Sequence, residues 1–133
     1  MYLFDTDTIS NIVKPQPSPT LLQRLGKTTK NQQYVSTITI SEIVYGAEKS
    51  NRPDFHLNNL ETILLPAVNI ISFDSKAAYV CGRIRAELEK RGTPLDLADL
   101  EIASIAIAND LILVSNNLRH FKRVPLLQYE NWL

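Results

Sequence analysis

Apolar residues in this chain form short continuous runs that alternate with longer stretches of helical periodicity. The runs predict strands over 1–4, 34–38, 68–72 and 111–115, and a weak last strand over 126–129. The periodic stretches predict helices over about 7–14, 53–65, 74–90 and 97–109, a short helix that ends at Gly26, and another that begins at Thr39. Strands that are apolar at nearly every position are covered on both faces. The order therefore predicts an α/β protein, a three-layer α/β/α sandwich around a central, mainly parallel sheet of about five strands.

Length and composition are typical of one compact domain. The chain has 133 residues, of which 44% are hydrophobic and 21% charged, so we expect a single domain over residues 1–133. Cys81 is the only cysteine, which excludes a disulfide framework and a cysteine-rich zinc site, and it is interpreted as a small apolar residue on a buried helix face. His56 and His120 show no triad or zinc spacing and are interpreted as surface residues. No signal peptide or membrane span is present in the pattern, so we expect a cytoplasmic protein.

Basic residues are balanced by acidic ones, 14 against 14, so net charge does not indicate a nucleic-acid partner. Their distribution leaves two interpretations open. Lysines and arginines group around 24–30, 83–91 and 119–123, and these groups can form positive patches beside an acidic centre. Alternatively they belong to solvated helix faces, with pairs such as Arg83 with Glu87 and Arg85 with Glu89 at i,i+4 spacing.

Three acidic residues, Asp5, Glu42 and Asp99, stand where an apolar segment gives way to a turn or a helix start. Each has a local explanation. Asp5 can cap the first helix. Thr39-Ile-Ser-Glu42 spells a capping box, in which the glutamate reaches back to the backbone N–H of the cap residue. Asp96 is the predicted cap of the helix that contains Asp99. Taken singly, each acid is better explained by helix capping than by catalysis.

The placement of two of these acids favours a shared ion. Asp99 lies on the same helix face as Ile102 and Ala103, so its carboxylate points toward the packed side and needs a partner. Asp5 ends a strand that heads into the sheet, and Ser115 follows the fourth strand toward the same crevice, where ligands of parallel sheets bind. Converging carboxylates repel one another unless a hard cation such as Mg²⁺ or Mn²⁺ neutralises them. The residues therefore predict a metal-dependent phosphodiesterase.

An ordered set of motifs resembles a known family. The motifs are Met1-Tyr-Leu-Phe-Asp5-Thr6-Asp7-Thr8, Thr39-Ile-Ser41-Glu42-Ile-Val-Tyr-Gly46, Asp99-Leu-Glu-Ile102-Ala103, and Leu113-Val114-Ser115-Asn116-Asn117 with Phe121. In this order and spacing they resemble a PIN-domain ribonuclease. Within that superfamily the chain is most similar to the VapC toxins of type II toxin-antitoxin modules, including Ile84-Arg85-Ala86 and the terminal Glu130-Asn131-Trp132.

The resemblance implies RNA cleavage that uses Mg²⁺ or Mn²⁺. The family's three acids fall on Asp5, Glu42 and Asp99. Its fourth acid falls on Asn117, which brings no charge, and the family usually has Asn or Ser where this chain has Asp7. Asp96 lies one helical turn before Asp99 and is a candidate for the missing charge. The resemblance also implies a homodimer that is held inactive by a cognate VapB-type antitoxin, and transfer RNA as the substrate.

The mechanism we hypothesise from these residues is metal-assisted hydrolysis of a phosphodiester. Asp5 and Asp99 would ligate the cation, and Glu42 would orient or deprotonate a water held by it. Asn117 is included among the catalytic residues. The residues expected to surround the ligands or to contact the substrate are Thr6, Asp96, Ser115 and Arg85, with Ser115 holding water or phosphate and Arg85 steering RNA.

Two alternatives belong to other functional classes. A receiver-type signalling domain would bind Mg²⁺ through Asp5 and Asp7 and accept a phosphoryl group on Asp74. That scheme also requires a lysine after the fifth strand, which residues 126–133 lack, and it leaves Glu42 and Asp99 without a role. The other alternative is a degenerate PIN fold that only binds RNA or protein.

Overall fold

Five strands and seven α-helices make up the chain, and the computed structural model describes all residues 1–133. The strands are β1 (Tyr2–Phe4), β2 (Gln33–Ser36), β3 (Asn69–Ile71), β4 (Ile112–Val114) and β5 (Tyr129–Glu130). The helices are α1 (Thr6–Asn11), α2 (Pro19–Gly26), α3 (Thr37–Lys49), α4 (Pro53–Asn59), α5 (Ser75–Lys90), α6 (Leu97–Ala108) and α7 (Leu118–Phe121). None of the helices is both long and apolar enough to cross a bilayer.

The sheet has the order β3-β2-β1-β4-β5, and every neighbouring pair is parallel. Successive residues of β1 point to opposite faces. Leu3 belongs to a core built largely from α5 and α6, whereas Phe4 belongs to a second core with residues of α1 and α2. The two cores cover both faces of the sheet, which confirms the predicted three-layer α/β/α sandwich.

Helix α3 begins two residues earlier than the sequence predicted. Ser36 is its N-cap, and the Ser36 hydroxyl accepts a hydrogen bond from the Thr39 N–H at 3.1 Å. The predicted strand over 34–38 therefore ends at Ser36, and the predicted capping box of Thr39 and Glu42 is wrong. Ser36 is fully buried at the end of β2, so the strand itself supplies the cap and leaves the Glu42 side chain free for another contact.

Other observed boundaries of helices and strands differ from the predicted ones, because tertiary packing overrides the local sequence pattern. The predicted helix over 53–65 is divided into α4, a π-helical turn (Leu60–Leu64) and a 3-10 turn (Leu65–Ala67). The last strand lies at Tyr129–Glu130, beyond most of the predicted 126–129, because its register comes from pairing with Leu113 and Val114. Helix α7 was not predicted. The apolar stripe of α5 is confirmed, with Cys81 buried as expected.

Candidate active site at the switch point of the sheet

The carboxyl ends of β1 and β4 lie side by side at the point where the strand order reverses. Asp5 follows β1, and its N–H donates to the Val114 carbonyl at 3.1 Å. Ser115 follows β4 directly and is fully buried. The prediction that both residues face one crevice is confirmed, because their strands are hydrogen-bonded neighbours in the sheet.

Asp5 is held in place by the start of α1. Its side chain is only 7% exposed, and Oδ1 accepts a hydrogen bond from the Thr8 N–H at 2.9 Å. The carboxylate therefore caps α1, as the local pattern indicated. Burial raises the pKa of Asp5 above its usual value, while hydrogen bonds from Ser115 and Thr8 oppose that rise. A nearby positive charge would stabilise the charged form of such a buried carboxylate.

Glu42 projects from the first half of α3 and is tied to α1. The Thr6 hydroxyl donates to Glu42 Oε1 at 2.6 Å and also lies 3.3 Å from the Thr39 hydroxyl. A single hydrogen bond across 36 residues of sequence thus fixes the glutamate at Thr6, the residue that follows Asp5. The other carboxylate oxygen of Glu42 makes no hydrogen bond and remains available.

Asp99 lies in the first turn of α6, and its side chain is 27% exposed. Its pKa is raised to about 6, first by burial and then by the negative charges of Asp96, Glu42, Asp5 and Asp7. Four other carboxylates, from three separate segments of the chain, therefore raise the pKa of Asp99. The structure brings Asp5, Glu42 and Asp99 into one electrostatic environment, as the sequence predicted.

Asn117 begins α7 on the same side of the sheet. Its N–H donates to the Ser115 hydroxyl at 2.9 Å, and its side-chain amide contacts His120 Nδ1 at 2.9 Å. His120 Nδ1 lies 4.0 Å from Asp99 Oδ2. The His120 side chain is 42% exposed, so it lies at the surface as interpreted, but it also stands between an amide and a carboxylate of the site, a contact that the sequence analysis did not predict. The signal in the sequence was its position three residues after Asn117, which places both on one face of a helical turn.

Two further acids of the candidate site are solvent-exposed. Asp96 occupies the N-cap position of α6 as predicted, but its side chain makes no capping hydrogen bond, and its charge raises the pKa of Asp99. Asp7 in the first turn of α1 raises the pKa of both Asp5 and Asp99. Our mechanism from sequence gave Asp7 no role, although its place two residues after Asp5 in the N-terminal motif was visible.

Arg85 lies apart from this network. It is exposed on α5 and pairs with Glu89 at 3.2 Å, as the i,i+4 pattern indicated. The companion prediction of a pair between Arg83 and Glu87 is wrong, because Glu87 pairs with Arg91 instead. No contact in the structure connects Arg85 with the acids.

The donor set fits a hard divalent cation. None of the five acids around the crevice forms a salt bridge with lysine or arginine, so no side chain of either type offsets their mutual repulsion. No three of the side chains already converge closely enough to ligate one ion together. Mg²⁺ commonly keeps several waters and takes only one or two protein carboxylates, which matches acids that surround a space without meeting at a point.

The chain is similar to known proteins over nearly its whole length. The family model described as "PIN domain" matches residues 2–127. The chain is 39% identical to "Ribonuclease VapC2" of Haemophilus influenzae, over 99% of this chain and 98% of the relative. It is 36% identical to "tRNA(fMet)-specific endonuclease VapC" of Salmonella typhimurium, over 98% of this chain and 97% of the relative.

A solved structure shows the same fold. A chain in the crystal structure of VapBC2 from Rickettsia felis, bound to a DNA fragment from their promoter, superposes with a TM-score of 0.92 at 34% identity. The match covers 99% of this chain and 98% of the other. The likeness therefore extends over both cores and the whole sheet.

Proposed function

Since this chain belongs to the PIN-domain family and, within it, to the VapC ribonucleases, we propose that it is a metal-dependent endoribonuclease and the toxin of a toxin-antitoxin module. The observation that carries this proposal is geometric: Asp5 and Ser115 follow neighbouring parallel strands at the switch point, and Thr6, the residue after Asp5, holds Glu42 by a 2.6 Å hydrogen bond. Burial and the charges of four other carboxylates raise the pKa of Asp99 to about 6, which agrees with mutual repulsion at this site. Carboxylates with perturbed pKa values are typical of functional sites. An acidic crevice at the switch point of the sheet is where a phosphodiester and a cation would bind together.

The proposed roles follow from the positions of the side chains. Asp5 and Asp99 would hold Mg²⁺ or Mn²⁺, because they are the two most desolvated acids of the crevice. The ion supplies Lewis-acid charge at the scissile phosphate. Glu42 would accept a proton from the attacking water through the oxygen that Thr6 leaves free. Asn117 and Ser115, which are hydrogen-bonded to each other, would orient water or phosphate.

The partners are inferred from the relatives. The name of the Salmonella relative specifies a transfer RNA, and we propose RNA of that class as substrate here. The neighbouring solved structure is a VapBC complex, and we propose a cognate VapB-type antitoxin as the inhibitor. We also propose one PIN-like domain over residues 1–133 that forms a homodimer.

Strand order speaks against the receiver-type alternative. Asp74 follows β3, which is an edge strand separated from β1 by β2. The Asp74 side chain accepts a hydrogen bond from the Ala77 N–H at 3.0 Å and serves as the N-cap of α5. A phosphoacceptor would need to stand beside Asp5. The degenerate alternative has less support, because the three acids are present and lie in one charged environment.

Cleavage by purified protein tests the function. We expect RNA cleavage in Mg²⁺ or Mn²⁺ that EDTA abolishes, and a loss of about 100-fold or more in Asp5→Asn and in Asp99→Asn, because each removes a charge that the cation needs. The measurement is the rate of appearance of new RNA ends from a transfer RNA transcript.

Asp74→Asn is the matched control. Asn is as good an N-cap as Asp, so α5 keeps its start and cleavage should be unchanged. Cleavage that survives in purified, folded Asp5→Asn or Asp99→Asn would refute the site. Stable labelling of Asp74 by a small phosphodonor, with no cleavage by the unaltered chain, would favour a receiver.

A further inference from the structure

A cavity of about 530 Å³ lies beside the candidate active site, between α1, α3 and α4. Thr6 and Glu42, which are joined by the 2.6 Å hydrogen bond, form part of its wall. The cavity therefore opens on the edge where Glu42 acts. Its volume is in the range of pockets that bind small molecules or single groups of a larger ligand.

The wall also carries cationic side chains. Lys14 and Arg52 line the cavity, and neither forms a salt bridge in the structure. His56 also lines it, and Glu42 is the only acid that does. A surface with free cations at one side and the catalytic glutamate at the other is complementary to a chain of phosphates that passes through the active site.

An aromatic stack stands in the same wall. The Arg52 guanidinium lies 3.9 Å from the centre of the Phe55 ring, and the His56 ring meets Phe55 edge-on with centroids 5.3 Å apart. Phe55 is 46% exposed, so part of its ring is open to a ligand. Exposed aromatic rings combined with arginine are the usual platform for unpaired bases, because stacking does not depend on base identity.

Polar groups without partners complete the cavity. The side chains of Ser10 and Asn59 line it and make no hydrogen bond within the protein. Hydroxyl and amide groups can pair with the polar edge of a base. The floor is apolar, with residues such as Val13, Ile43 and Leu64.

We propose that this cavity, lined by Phe55 and Arg52, binds one unpaired nucleotide of the RNA substrate adjacent to the scissile phosphate. The proposal rests on the ribonuclease function proposed above and adds the site that selects a single-stranded or looped target. Phe55 and Arg52 stack on the base, and Lys14 contacts the neighbouring phosphate. An apolar floor alone would suit a protein segment equally well, but free cations and an open stack favour RNA.

Binding of a single-stranded RNA decamer that carries one 2-aminopurine tests the proposal. The protein is the Asp5→Asn chain in Mg²⁺, so that the probe is not cut, and the readouts are anisotropy for Kd and quenching of 2-aminopurine on stacking. Adding Phe55→Ala should raise Kd by about 5- to 100-fold and remove the quenching, whereas Phe55→Trp should restore both. Adding Lys14→Gln should lower the slope of log Kd against log salt by about 0.7.

Tyr79→Ala and Arg83→Gln are the matched controls, since they remove an exposed aromatic ring and a cation from α5, away from this cavity. Both should leave Kd unchanged. Equal weakening by Tyr79→Ala and Phe55→Ala would overturn the proposal, as would unchanged Kd in Phe55→Ala. Loss of binding to a partner protein with unchanged RNA binding would also overturn it and assign the cavity to protein docking.

Cleavage by the unaltered chain is measured on a transfer RNA transcript, the substrate class proposed above. If the chain cuts the RNA while Phe55→Ala leaves Kd unchanged, the cavity proposal fails and the ribonuclease function stands. If the chain does not cut but binding depends on Phe55, the cavity proposal is supported and the ribonuclease function fails.

Discussion

At the scale of one residue, Asp99 shows how the clustered carboxylates of the candidate site oppose stability. Its pKa in the folded chain is about 6, against 3.8 for the free side chain, because burial and neighbouring carboxylates disfavour the charge. Between these two values the folded state binds more protons than the unfolded state. The free energy of unfolding must therefore fall as pH rises from about 4 to 6, and the contribution is fully lost above 6.

Asp99→Asn should remove this pH dependence. In EDTA the variant should be more stable than the unaltered chain by about 1 to 2 kcal/mol at pH 7.5, and the advantage should vanish near pH 4, where the aspartate is protonated as well. Solvent screening keeps this difference below the full conversion of the pKa shift, because 27% of the Asp99 side chain is exposed. Urea denaturation of both proteins at the two pH values measures the difference, and an advantage that is equal at both would contradict this account.

Thr6 holds the Glu42 side chain through a hydrogen bond. Thr6→Val keeps the shape of the side chain but removes the donor that holds Glu42 Oε1 at 2.6 Å, so we expect cleavage to fall about 10-fold. Thr6→Ser keeps the hydroxyl and should retain most of the activity. The measurement is kcat on RNA for both variants, together with Tm. If the serine variant loses as much activity as the valine variant, then the packing of Thr6 matters and not its hydrogen bond.

Helix α5 illustrates what a single element specifies locally. Gly92 lies just beyond its end at φ +70°, and the Thr93 and Gly92 N–H groups donate to the carbonyls of Leu88 at 2.9 Å and Glu89 at 3.1 Å. This is the Schellman arrangement, in which a left-handed residue closes the last turn. The observed end of α5 at Lys90 agrees with the predicted helix over about 74–90.

Alanine at two glycines of this region should have opposite effects. Gly92→Ala should lower the free energy of unfolding by about 1 kcal/mol, because a side chain at positive φ is strained. Gly82→Ala, inside α5, should raise it by about 0.5 to 1 kcal/mol, because alanine is the better helix former. An added Cβ meets nothing within 4 Å at either position, so backbone conformation alone distinguishes them. Chemical denaturation measures both, and the same sign for the two variants would contradict the explanation.

Trp132 joins distant parts of the whole molecule. The ring is 1% exposed and packs against Phe4 and Tyr2 of β1 at centroid distances of 5.3 and 4.8 Å. The Arg24 guanidinium of α2 lies 4.6 Å from the ring centre, and the indole N–H donates to Glu130 at 2.8 Å. The end of the chain is thereby fixed to its first strand and to the helix layer on that face.

Trp132→Ala should destabilise the whole fold by about 3 to 5 kcal/mol, a large part of the stability of a domain this size. Trp132→Phe keeps much of the ring packing and loses the indole hydrogen bond, so it should cost less. The free energy of unfolding, measured in urea, gives both values. A cost below about 1 kcal/mol for the alanine variant would show that the C-terminus is not part of the cooperative unit.

The local pattern of apolar residues was sufficient to predict most of the strands and helices that form the layers of this fold. Continuous apolar runs predicted β1 to β4, and the stripe with Ala77, Cys81, Ile84 and Leu88 predicted α5, because burial on both faces or on one face leaves a period in the sequence. The same reasoning predicted a last strand but misplaced its bounds, because the two residues of β5 are set by pairing with β4. It failed at the start of α3, where an end-of-strand serine provides the cap.

The sequence by itself determined the parallel sheet, the position of Asp5 at the end of its first strand, and the family whose motifs place acids at Asp5, Glu42 and Asp99. Only the tertiary structure decided that Glu42 is held by Thr6 rather than by a capping box, and that His120 contacts Asn117 and lies near Asp99. It also decided that a cavity lined by Lys14, Arg52 and Phe55 adjoins the site. The physical reason is the distance along the sequence between the residues that interact. Periodicity and capping act within a few residues, whereas the hydrogen bond from Thr6 to Glu42 spans 36 positions and exists only once β1 and β2 lie side by side.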